Sequence, residues 1–218
     1  MHIVASLRFK EATEVTADEN IRQTGSGEEK RESWQKSVLL YLHDLIYMLA
    51  VIMILFLLVF RLVIVSGSSM YATLWDGDWL LVLSNTFYRE PEYGDIIVAS
   101  KDSFRDAEPI IKRVIATEGQ TVDIDYVSGT VFVDGKALQE DYAFTRTSVD
   151  EGMEFPLVVE PGCVFALGDN RNNSLDSRHP AIGLVDQREI LGKALFLFYP
   201  GTNEGRSQRD FDRIGAVN

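Results

Sequence analysis

Between Leu45 and Phe60 the chain reads LIYMLAVIMILFLLVF, without a single charge. With VLLYLHD before it and RLVIV after it, the run exceeds the roughly 20 residues that cross a bilayer as a helix. A helix buried in a soluble core remains the competing reading, but this run has no polar face to meet water. Asp44 and Arg61 stand near its ends, where their polar groups can reach the interface. Lys30, Arg31 and Lys36 precede it, and after Arg61 the next base is Arg89. The positive-inside rule then expects a cytoplasmic N-terminus, with the chain after the span outside. Small residues Ser66-Gly67-Ser68 follow, as at a signal-peptide cleavage site. The polar region ahead is too long for a signal-peptide n-region, so an uncleaved signal anchor is expected.

Three regions follow from this. Residues 1–35 mix short apolar bits with many charges and read as a polar cytosolic tail. Residues 36–65 read as the transmembrane signal-anchor helix. Residues 66–218 read as an extracytoplasmic domain with an all-β fold: antiparallel sheet, closing partly into a barrel. WLLVLSN and DIIVAS are short apolar runs, each preceded by a Gly-Asp turn. GTVFVDGKAL alternates around Asp134-Gly135, a hairpin signal. PIIKRVIATEGQTVDID, CVFALGDN and ILGKALFLFY supply further strands.

Composition removes several classes of function. A net charge of −12 over 218 residues argues against a nucleic-acid partner, which needs a basic face. The single cysteine, Cys163, can make no intrachain disulfide. His2, His43 and His179 lie far apart without metal-ligand spacing, so neither a metal nor a cofactor is expected.

Chemistry concentrates in three segments: residues 66–82, 93–124 and 166–185. Ser69 follows the small-residue run, where backbone can approach a substrate and leave N–H groups for an oxyanion. A serine needs a base to become nucleophilic. No histidine is well placed, but Lys112 sits among Ile110, Ile111, Val114 and Ile115. If it faces the apolar side, burial lowers its pKa from about 10.4 toward neutrality, roughly 3 units or about 4 kcal/mol against the charged form. A lysine that snorkels to the surface beside Arg113 is the alternative.

Together, SGSSMYATLWDGDWLLV, PIIKRVIATEGQTVDI and ALGDNRNNSLDSRHPAIGLV resemble the bacterial type I signal peptidase (leader peptidase) family, from the span to about Tyr199. The resemblance implies a membrane-bound serine endopeptidase with a Ser/Lys dyad, Ser69 as nucleophile and Lys112 as base. It implies that Ser174 orients the lysine, that Arg113 flanks it, and that Asp176 and Arg178 form a structural ion pair. Asp169 becomes a supporting carboxylate. The oxyanion hole is expected from the Ser69 N–H with Gly67 and Ser68. The substrates implied are secreted pre-proteins, cut after small residues at positions −1 and −3, with membrane lipid as the other partner. Related peptidases of the endoplasmic reticulum and archaea carry histidine where Lys112 stands.

Departures from the family pattern are visible. Ala72 replaces the proline of S-M-x-P-T-L, which removes a fixed φ from the loop. Gly67 stands where some members carry a serine that helps the oxyanion. SRHPAIGLV is two residues longer than the compact form. The stretch between Lys112 and Gly168 is short, so a small cap is expected. Tyr71, Trp75, Trp79 and Leu80 follow Ser69 and are candidates for contact with lipid headgroups. Three other readings remain open here: a self-cleaving repressor-type Ser/Lys protease, a membrane-tethered binding module that has lost catalysis, and a peptidase with a single client.

Overall fold

The computed structural model describes residues 34–101, 108–202 and 208–217. Nearly all of the polar tail lies outside these. Helix α1, Trp34–Val59, holds the charge-free run and is long and apolar enough to cross a membrane. None of its most apolar window is buried inside the protein. The expected helix continued to residue 65, but it stops at Val59. Strand β1, Phe60–Ile64, takes over and pairs with β2, Trp79–Ser84. The β-branched Val63 and Ile64 suit an extended backbone, and β2 offers them a partner edge.

The chain divides into two compact units, residues 1–55 and 56–218. The second is built on two antiparallel sheets. The other strands are β3 (Ile96–Ser100), β4 (Pro109–Thr117), β5 (Thr121–Asp125), β6 (Thr130–Val133), β7 (Lys136–Ala137), β8 (Leu157–Val158), β9 (Cys163–Leu167), β10 (Val185–Asp186), β11 (Ile190–Tyr199) and β12 (Gly215–Ala216). The large sheet runs β1-β2-β11-β3-β4-β9-β10, with β12 on β11. β1 and β10 are its two ends among the described residues, so the sheet does not close into a barrel. The small cap is a second sheet in the order β7-β6-β5-β8.

Burial follows the sequence pattern. β2 alternates exposed and buried positions, as a strand covered on one face does. β3 is buried on both faces: Ile96 and Val98 join a cluster with Leu80 and Leu197, while Ile97 and Ala99 join one with Val114 and Val164. That explains its unbroken apolar run. The Asp134-Gly135 hairpin forms as expected between β6 and β7, with φ of 52° and 74° at its two turn residues. Both angles are positive, which a two-residue type I′ turn requires.

Candidate active site

The loop between β1 and β2 is closed at its base. Val65 N–H donates to Asp78 O at 2.8 Å, and Gly77 N–H donates to Val65 O at 2.9 Å. Inside it, Met70 and Leu74 are each 1% exposed and sit in the core. Burying two such side chains contributes roughly 1.5–3 kcal/mol each. Ser69, next to Met70, is therefore carried on an anchored turn rather than a free loop.

β4 supplies the second group. Lys112 shares a strand face with Ile110 and Val114, which pack into the second apolar cluster. It is 4% exposed, and its Nζ lies 2.9 Å from Ser69 Oγ and 3.0 Å from Ile111 O. As an ammonium it donates to both oxygens. As a neutral amine its lone pair can accept the Ser69 O–H along the same line. Burial lowers its pKa from 10.5 to about 8, against the pull of Asp176, Glu151 and Asp169. The shift is smaller than burial alone would give because those three carboxylates favour the charge.

The segment from Gly168 to Arg178 forms the other wall. Arg113, beside Lys112, grips Asp169 with two hydrogen bonds of 2.9 and 2.8 Å, and its guanidinium carbon lies 4.1 Å from the Tyr142 ring centroid. Asp169 also accepts from Thr73 Oγ1 at 2.6 Å, which ties this wall to the Ser69 loop. Arg178 and Asp176, both fully buried, pair through bonds of 2.8 and 2.9 Å. Asp176 also accepts the Gly168 N–H at 3.0 Å. A Cβ on Gly168 would stand 2.1 Å from Ser174 Oγ and 2.5 Å from Ser69 O, so only glycine allows this approach.

Two expectations meet a different geometry. Ser174 makes no bond to Lys112: its hydroxyl is buried and has no hydrogen-bond partner among the described residues. Gly67 offers no oxyanion donor, because its N–H already donates to Asp76 Oδ1 at 2.8 Å. The Ser68 and Ser69 N–H groups have no acceptor among the described residues. Ser68 is held from the other wall: Asn173 Nδ2 donates to its Oγ and Asn170 Nδ2 to its O, both at 3.0 Å. Asn170 N–H donates to Ser69 O at 2.9 Å. Asn173 has no signal of its own in the sequence beyond its place in GDNRNNS. Of the candidates for lipid contact after Ser69, Leu80 is fully buried core, whereas Trp79 is 38% exposed beside Phe198 and Tyr199.

A groove of about 420 Å³ runs from the end of β1 to the start of β4 and contains Ser69 and Lys112. β4 pairs with β3 along Pro109–Arg113, while β9 engages it only from Arg113 onward. Among the described residues, Pro109–Lys112 thus has a strand on one side only. β1, across the groove, is an outermost strand. A strand edge open in this way is one to which an extended peptide can add as a further strand.

A hydroxyl held by a buried amine, with free N–H groups beside it and an open strand edge along it, is a site suited to acyl transfer from peptides. The comparisons with known proteins agree with that class. The chain belongs to the signal peptidase family, peptidase S26, whose model matches residues 38–199. It is similar to a probable signal peptidase I-1 of Synechocystis, 38% identical over 150 residues, covering 65% of this chain and 72% of that protein. A signal peptidase I of Bacillus amyloliquefaciens is 36% identical over 145 residues, covering 63% of this chain and 72% of that one. Among solved structures, a signal peptidase I from Enterococcus faecalis is 31% identical, covers 48% of this chain and 96% of that chain, and superposes with a TM-score of 0.39.

Proposed function

We propose that this chain removes signal peptides from secreted pre-proteins at a membrane surface, with Ser69 as nucleophile and Lys112 as general base. The chain is a serine endopeptidase of the signal peptidase I type, as its family and its relatives at 36–38% identity establish. The residue assignment rests chiefly on one observation: the 2.9 Å contact between a buried Lys112 Nζ and Ser69 Oγ inside the groove.

Neutral Lys112 takes the Ser69 proton as the hydroxyl attacks the scissile carbonyl, and the Ser69 N–H with that of Ser68 receives the oxyanion. Lys112 then protonates the leaving amine, and later removes a proton from the water that opens the acyl-enzyme. Ser174 is assigned to the lysine once its amine turns away from Ser69. A buried hydroxyl without a partner costs about 1–3 kcal/mol, and a bond made during the reaction accounts for keeping it. Cleavage after small residues at −1 and −3 belongs to the same reading. So does the orientation, with α1 spanning the membrane, the N-terminus in the cytoplasm and residues after about 62 outside.

The test is cleavage of a pre-protein bearing an Ala-x-Ala site by the full chain in detergent, beside Ser69→Ala and Lys112→Ala. The parent cuts at that site and both folded variants lose cleavage. A Lys112→Ala chain that still cuts at the parental rate would remove the lysine from the mechanism.

A further inference from the structure

The chain beyond Tyr199 lies outside the family match, yet it returns to the loop that carries Ser69. Asp210 caps a single 3-10 turn, Phe211–Arg213. Gly215–Ala216 then pairs with β11, and Val217 N–H donates to Leu195 O at 3.0 Å. Arg213 is fixed between these two anchors. Its Nη1 donates to Asp78 Oδ1 at 2.9 Å, and its Nη2 donates to Asp78 Oδ2 at 2.7 Å and to Thr73 O at 3.1 Å. The guanidinium carbon lies 3.8 Å from the Trp75 ring centroid. Asp78, Thr73 and Trp75 all belong to the loop between β1 and β2.

Asp78 is the residue that closes that loop. Its carbonyl accepts from Val65, and its fully buried carboxylate accepts from Trp75 N–H at 2.7 Å and Gly201 N–H at 2.6 Å. Thr73, which Arg213 grips by its carbonyl, sends its hydroxyl to Asp169, and Asp169 holds Arg113 next to Lys112. Arg213 thus holds the loop that carries Ser69 at three residues, Asp78, Thr73 and Trp75.

We propose that Arg213 is a positioning residue for Ser69, a clamp from the C-terminal segment that sets the hydroxyl against the substrate carbonyl. The inference rests on Ser69 being the nucleophile. It asks for arginine in particular, because a planar fork can bond two carboxylate oxygens and a carbonyl while lying flat on an indole. An ammonium has neither the plane nor the reach to do all of this at once.

The experiment uses the full chain in detergent with Arg213→Ala and Arg213→Lys. A covalent serine-reactive probe counts the competent sites, so that kcat is expressed per titrated site. Misplacing reacting groups by about 1 Å costs on the order of 10²-fold. Arg213→Ala is expected to lose about ten- to a hundredfold in kcat, with KM within about twofold and the pH midpoint of kcat/KM unmoved. Arg213→Lys is expected to lose less. Parental kcat per site in Arg213→Ala overturns the clamp, as does a loss confined to KM or to the fraction of competent sites. Should Arg213→Ala not fold, parental kcat in Arg213→Lys overturns it instead. Ser69→Ala runs alongside. If that variant still cuts, the nucleophile assignment itself falls. If it is inert while the Arg213 variants cut at the parental rate, only the clamp falls.

Discussion

Lys112 is under two opposed demands: the core around it disfavours a charge, while Asp176, Glu151 and Asp169 favour one. The balance at about 8 leaves roughly a tenth of the amine neutral at pH 7. Cleavage by the parent should therefore rise with pH through about 8 and level off above it, read as kcat/KM on one substrate across a buffer series. Stability carries the opposite face of the same shift. A lysine whose folded pKa lies below its unfolded value takes up a proton on unfolding between the two. The cost to the fold, about 3 kcal/mol by this shift, is fully present below pH 8 and gone above 10.5. Lys112→Met, similar in length but without the charge, should unfold at higher temperature than the parent at pH 7, and the gap should close as pH rises toward 10.5. A gap that stays constant with pH would mean that the lysine's pKa does not change on unfolding, so that it is protonated in the folded chain over the same range as in the unfolded one. Ser174→Ala removes a buried hydroxyl with no partner among the described residues, so the variant should be as stable as the parent or more stable, by up to about 1–3 kcal/mol in denaturant unfolding. In the same variant kcat should fall about tenfold, as the assignment of Ser174 to the turned lysine requires. Unchanged kcat would leave Ser174 a packing residue.

At the scale of elements, the wall from Gly168 to Arg178 is held by charges that have left water. Removing one partner of a buried pair strands the other and costs about 3–5 kcal/mol. Asp176→Ala leaves Arg178 with Glu151, 3.3 Å away, as its remaining carboxylate, and leaves the Gly168 N–H without its acceptor. A loss of about 3 kcal/mol in denaturant unfolding is the expected result, and a loss under 1 kcal/mol would mean that Glu151 substitutes fully. These pairs were partly legible in the sequence. Asp169, Asp176 and Arg178 stand close together in one motif, and Lys112 with Arg113 in another, so local reading could single them out. The β1 strand was not legible, because apolar residues continue on both sides of Arg61, from α1 through Val65, and nothing in their order says where helix gives way to strand. Only pairing with Trp79–Ser84 decides it. Nor could Arg213 be tied to Asp78: the two are joined by tertiary contact alone. Ser174 shows the converse, since its motif is plain to read while its hydrogen bonding is not.

For the molecule as a whole, a long apolar helix precedes the peptidase unit. The orientation proposed above can be read directly. In sealed vesicles with the outer leaflet exposed, external protease should remove a tag placed at the C-terminus and spare one at the N-terminus. The reverse pattern would invert the topology and detach the site from exported substrates. Length and the charge-free run alone pointed to the long apolar helix. The closed loop, the cap sheet and the half-open edge of β4 arise from contacts across the sheet, which no local window of sequence contains.

The unpaired half of β4 also acts as a conformational filter. In the proposed substrate mode, a peptide that adds as a strand in the gap between that edge and β1 must have amides and carbonyls that are still uncommitted. A segment already wound into a helix or zipped into another sheet has spent those groups and is the wrong width besides. Many side-chain sequences can satisfy the gap, but a finished fold cannot. The enzyme can therefore be tolerant of wording and strict about timing, cutting a client while its junction is still loose and ignoring similar small-residue stretches locked inside mature proteins.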